Sequence, residues 1–122
     1  MFVPTPFGVM LKESRESARL SQGELAAELN KTAQYISNIE KGKNNSPPDD
    51  EDLKKLISKL ALGEEEAEKF RLLAYADRGM LPPEMFRYLF DCPALIRLIR
   101  YALHNKISPD YWNNIIDTTS ER

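Results

Sequence analysis

The sequence predicts an all-α fold, on three observations. Apolar residues recur three and four positions apart in each patterned stretch, and no segment alternates apolar with polar residues as a half-buried strand does. Ser, Thr and Asp caps with Gly and Pro breakers also cut the chain into pieces of helix length.

The first helix is expected from about Phe7 to Ala18, with Phe7, Leu11, Ser14 and Ala18 in one row and Pro6 in the first turn, where proline is tolerated. Ser21 and Glu24 have the Ser-x-x-Glu spacing of a capping box, so a second helix starts there, carrying Leu25, Ala26 and Leu29 on one face. Asn30 suits the left-handed turn that ends it, and Thr32 is a fresh N-cap. A third helix follows from Ala33 to Lys41, with Ile36 and Ile39 inward and Gly42 as its stop. Residues 43 to 48 read as loop, and a fourth helix spans about Asp50 to Leu60 on the stripe Leu53, Leu56, Ile57, Leu60. A fifth runs from Glu64 to about Asp77. Beyond the breakers Gly79, Pro82 and Pro83, two or three short helices carry a heavy apolar load up to Ile116.

A chain of 122 residues with 42% hydrophobic content can bury a core, as one compact domain or two small ones. The net charge of -2 argues mildly against a polyanionic partner, but its distribution matters more. The acids concentrate at 49–52 and 64–68, at the starts of two helices, where they complement the helix dipole. The single Cys92 forms no intramolecular disulfide and reads as a small buried hydrophobe. With no leader-like start and no span-length apolar run, a soluble cytoplasmic protein is expected, away from membranes. His104 has no Cys or acid at ligand spacing, so no metal and no cofactor is expected. Nor does any glycine-rich phosphate loop or nucleophile–base set point to an enzyme.

Two short helices joined by a turn of about three residues make a helix-turn-helix unit. The residues Phe7-Gly8, Leu11-Lys12, Arg15, Leu20-Ser21-Gln22, Glu24-Leu25-Ala26, Leu29, Tyr35-Ile36-Ser37, Ile39-Glu40, Gly42 and the stretch from Leu56 to Leu60 stand in an order and spacing that resembles the lambda-repressor-like, Cro-type helix-turn-helix family, also called XRE. The resemblance covers residues 7 to about 62. It implies a five-helix domain that binds double-stranded DNA, with the third helix as its reader and an ion pair between Arg15 and Glu40 joining the first helix to the third. Arg19 stands where many members have glycine, and is strained if its φ is positive. Ala33 replaces the longer polar side chain of many members, which bears on a hydrogen bond to Gln22.

The side chains give the same reader independently. In such a unit the second helix of the pair enters the major groove, where each base pair shows a distinct set of donors and acceptors. With Ile36 and Ile39 inward, the opposite face is expected to expose Ala33, Gln34, Ser37 and Asn38, which carry two amides and a hydroxyl. Gln and Asn pair bidentately with adenine and Ala33 suits a thymine methyl, so Gln34 is the first choice for base readout. Thr32 joins this set at the helix start. Gln22 at the start of the second helix, and Lys43, Asn44 and Asn45 after the third, are expected at phosphates, with Lys31 and Lys41 adding charge. Tyr35 has two readings, as a core-edge ring or as a hydroxyl donor to phosphate.

The division expected is 1–62 for the DNA-binding domain and 63–122 for a short helical C-terminal extension. Phe86, Leu89, Phe90, Leu95, Leu98, Ile99 and Trp112 are the candidates for a homodimer interface there, with completion of the core as the plain alternative. The function expected is a transcriptional regulator, a dimeric repressor. The rivals are an antitoxin that binds its operator and a toxin, and an adaptor that binds protein only.

Overall fold

In the computed structural model, residues 2–43 and 47–120 are described, with backbone only for 118–120. Eight helices run among them: α1 Pro6–Ser17, α2 Gln22–Ala27, α3 Ala33–Lys41, α4 Asp50–Lys59, α5 Glu64–Ala76, α6 Pro83–Phe90, α7 Pro93–His104 and α8 Pro109–Ser120. The chain divides into two compact units, 1–82 and 83–122.

Local chemistry sets the helix ends of the first unit. Thr5 caps α1, its hydroxyl accepting from the Gly8 N–H at 3.0 Å. Ser21 and Glu24 form the complete capping box of α2, and the backbone N–H of Ser21 holds the Glu24 carboxylate below its usual pKa. Thr32 caps α3, while Gly42 closes it at φ 77°, a left-handed position that glycine takes at least cost. Asp49 caps α4, accepting from Asp52 N–H at 2.9 Å. Asn30 has the positive φ expected of it, 55°, and the condition set for Arg19 is met, with φ 58°. The left-handed backbone costs Arg19 roughly 1–2 kcal/mol relative to an αR residue.

Phe7, Leu11, Leu25, Ile36, Leu53, Leu56 and Phe70 are fully buried and form the centre of one core. Here the expected division at residue 62 gives way. α5 packs on α1 and α4, with the Phe7 and Phe70 ring centroids 4.9 Å apart, so the first unit continues to Pro82. Without α5, Phe7 loses the ring that it packs on.

α1 lies so close to α3 that a Cβ on Gly8 falls 2.5 Å from the Ile39 carbonyl oxygen. Gly8→Ala is therefore expected to lose about 1–3 kcal/mol through overpacking. In an open helix the same change gains roughly 1 kcal/mol. Urea denaturation reads the sign, and a gain in stability contradicts this contact.

The second unit is of another kind. Among its described side chains none is buried: Phe86, Phe90 and Leu103 are 55%, 68% and 74% exposed, while Leu89, Ile96, Ala102, Ile107 and Trp112 are half-buried. Phe86 stacks on Phe90 along α6, and Tyr111 meets Trp112 edge-on in α8. Cys92, expected to be buried, is half-buried with a free thiol.

Candidate nucleic-acid interface

α3 is held by its inner side. Ile36 and Ile39 enter the core, and Glu40 beside them is buried. Its carboxylate takes two hydrogen bonds from the Arg15 guanidinium, Nε to Oε2 at 2.7 Å and Nη2 to Oε1 at 3.0 Å. The side chains are 12% and 4% exposed, so the pair implied by the resemblance is present and almost dry. Arg15 also donates through Nη1 to the Leu20 carbonyl at 3.0 Å, which fixes the α1–α2 turn. The hydrogen bond to Glu40, more than any other contact, raises the Arg15 pKa. Gln22 adds a third donor to the carboxylate, Nε2 to Oε1 at 3.1 Å, and so ties the start of α2 to α3. With Ala33 too short to meet it, Gln22 pairs with Glu40 instead.

The outer side of α3 carries Ala33 and Gln34, both exposed, and half-buried Asn38. Gln34 Nε2 donates to Asn38 Oδ1 at 2.8 Å, one turn apart. This fixes the orientation of both amides while leaving the Gln34 oxygen and one of its N–H groups for a ligand. An acceptor beside a donor is the arrangement that matches the N6 and N7 edge of adenine. Thr32 is exposed at the helix start, its hydroxyl oxygen accepting from the Tyr35 N–H at 3.3 Å.

Ser37 corrects the sequence expectation: it is buried, 8% exposed. Ser37 and Glu40 lie three residues apart on one helical row. Glu40 on this row is paired with Arg15 of α1, a tertiary contact that helical periodicity alone does not reveal. Tyr35 packs at the core edge, with the Lys31 ammonium 5.4 Å from its ring centroid.

Past α3, the Lys43 N–H donates to the Asn38 carbonyl at 2.8 Å, completing the C-terminal cap. Its exposed ammonium lies 5.4 Å from the Phe2 ring centroid, so the N-terminal arm shares this surface. The sequence reading missed the arm, which has no periodicity or motif to mark it. Asn44 and Asn45, also expected at phosphates, lie outside the described residues. Lys31 and Lys41 are exposed.

Among the described residues, no group of three or more His, Cys, Asp or Glu side chains is placed to hold a metal ion. Among the same described residues, no helix is long and apolar enough to cross a membrane.

The family model described as helix-turn-helix matches residues 11–66, from within α1 to the first turn of α5. Comparison with curated proteins and with solved structures gives no match. The segment from Leu11 to Glu66 is thus similar to the helix-turn-helix family, in keeping with the resemblance carried by its residues.

Proposed function

We propose that this chain is a sequence-specific transcriptional regulator, a repressor, that reads the major groove of duplex DNA with α3 and binds as a two-fold dimer paired through its C-terminal unit. The observation that carries the reading is the Gln34–Asn38 amide pair, held at 2.8 Å on the outer face of a helix whose inner face is locked by Ile36, Ile39 and the Arg15–Glu40 pair. Ala33 and Thr32 complete the base-facing set, while the α2 start at Gln22 and the exposed ammonium of Lys43 meet phosphates.

A dimer is favoured because every described side chain from 83 to 117 is exposed or half-buried. A unit of this size without a buried centre gains its stability from a partner surface. The candidates Phe86, Phe90, Leu95, Leu98 and Ile99 remain exposed on α6 and α7, with Leu89 and Trp112 half-buried beside them. Two recognition helices about 34 Å apart then match successive turns of one DNA face. The same apolar surface suits the antitoxin reading, in which a different protein covers it. Solution mass separates the two: a dimer of this chain alone supports the first.

Gln34→Ala is expected to cost about 1–3 kcal/mol at the cognate site and to relax preference at particular base pairs. Lys43→Ala is expected to weaken all duplexes alike and to lower the salt slope by about one. Fluorescence anisotropy titrations against cognate and scrambled duplexes check both, and equal losses on every sequence from Gln34→Ala remove it from base readout.

A further inference from the structure

The stretch Phe2-Val3-Pro4-Thr5-Pro6 ahead of α1 has no helical pattern, and its two prolines bias Val3 and Thr5 toward extended backbone. Two contacts place this arm. At its base, Thr5 accepts from the Gly8 N–H and donates to the carboxylate of Asp77, the C-cap of α5, at 2.9 Å. That end of α5 is itself held, since Arg78 donates through Nη2 to the carbonyls of Pro47 and Pro48, each at 2.7 Å. Further out, the Val3 carbonyl and Pro4 lie against the Cα of Gly42, where they leave no room for a side chain. Gly42 therefore answers two demands, the left-handed φ of 77° that closes α3 and a seat for the arm.

Beyond that seat the arm meets Lys43 directly. The Phe2 ring centroid lies 5.4 Å from the Lys43 ammonium, within the range of a cation–π contact. The Lys43 backbone is fixed separately, by its N–H on the Asn38 carbonyl at 2.8 Å. The side chain is thus held at its root by α3 and at its head by the arm. The kind of partner matters here. A carboxylate would compete with a phosphate for the charge, whereas a neutral ring on one side of the ammonium leaves N–H donors on the other for an oxyanion. Among the described residues no carboxylate pairs with Lys43, and both Phe2 and Lys43 are exposed. A lysine already held in place gives up less rotamer freedom on binding than a loose one.

We propose that Phe2 is a positioning residue for DNA binding: carried by Val3 and Pro4 on the Gly42 seat, it holds the Lys43 ammonium in place for a phosphate oxygen. The phosphate rests on the regulator reading; the hold on the ammonium does not.

The full chain is tested in two ways, the first without DNA. In NMR spectra of the free protein, the Lys43 Hε protons are expected to be shifted upfield by the Phe2 ring current. Phe2→Leu, apolar but without a ring, abolishes the shift, and Phe2→Trp keeps it. Gly42→Asn abolishes it too, because asparagine tolerates the left-handed φ while its Cβ displaces Val3. Anisotropy titrations against the selected duplex at low salt read the consequence. Phe2→Leu is expected to bind about threefold more weakly, since an exposed cation–π contact offsets only part of the cost of ordering a lysine. Phe2→Trp binds as wild type does. In the Lys43→Ala background Phe2→Leu is expected to cost nothing further, because it acts through the ammonium.

An unshifted Lys43 in wild type overturns the proposal, as does a shift that survives Gly42→Asn. So does a loss from Phe2→Leu that persists in the Lys43→Ala background, which makes Phe2 a DNA contact in its own right. A lowered urea midpoint in Phe2→Leu, with a binding loss that Phe2→Trp does not restore, also overturns it, as the signature of general loosening. If wild type binds no duplex while the Lys43 shift is in place, the regulator reading fails and takes the phosphate with it. A missing shift with duplex binding intact overturns this proposal alone.

Discussion

Replacing Glu40 with alanine is expected to lower the unfolding free energy by about 3–5 kcal/mol. The cost follows from what remains. The Arg15 guanidinium, 12% exposed, loses both of its charge-assisted bonds to the buried carboxylate and keeps the Leu20 carbonyl on Nη1 and, 4.0 Å from Nη2, the exposed carboxylate of Glu16. Gln22 loses its partner as well. A cation left almost dry without its counter-charge is the expensive outcome. Replacing both members by apolar residues of similar volume is expected to be much closer to neutral. Urea denaturation with an unchanged slope reads the difference. A loss below about 1 kcal/mol for Glu40→Ala, the range of exposed pairs, contradicts a buried pair. Because the same carboxylate joins α1, the start of α2 and α3, DNA affinity is expected to fall with stability while base preference is kept.

Phe70→Ala is expected to cost a similar amount, about 3–5 kcal/mol, the range for truncating a buried phenylalanine. Phe70 is completely buried and its ring packs on Phe7 at 4.9 Å, joining α5 to α1. The result bears on where the first unit ends. With the unit closing at Pro82, Phe70 belongs to the core that supports α3, and its loss destabilises the whole first unit. Phe86→Ala on α6, at a side chain 55% exposed, serves as the contrast, with a change of about 0.5 kcal/mol or less in the denaturation of the first unit. Equal small effects from both substitutions contradict a core that includes α5.

How much of this was legible in the sequence depended on the range of the interaction. Ser21 with Glu24, Thr32 with the Tyr35 N–H, and Gly42 at φ 77° are contacts within a few residues, and residue type with spacing is enough to place them. The positive φ at Asn30 was readable for the same reason, whereas at Arg19 only the family resemblance raised it, as a condition. Ion pairing between Arg15 and Glu40, 25 residues apart, was reachable only through the family resemblance. Ser37 was misplaced because periodicity reports which way Ile36 and Ile39 point, while how far burial extends around α3 is decided by its packing on α1 and α2.

The end of the first unit was placed too early for a related reason. The pattern from Glu64 onward announces a helix, yet nothing in it says that Phe70 meets Phe7. The closeness of Gly8 to the Ile39 carbonyl and the hold of Arg78 on Pro47 and Pro48 were invisible. Their acceptors are backbone oxygens, which every residue carries, so no residue type marks them.

The most direct test of the account is selection of bound sequences from a pool of random duplexes by the full chain, followed by salt titration of the recovered sequence. The account predicts enrichment of a common element that is lost when Gln34 is replaced by alanine, with log affinity falling linearly with log salt concentration. Recovery of no shared element, with binding that is absent or indifferent to salt, would contradict it.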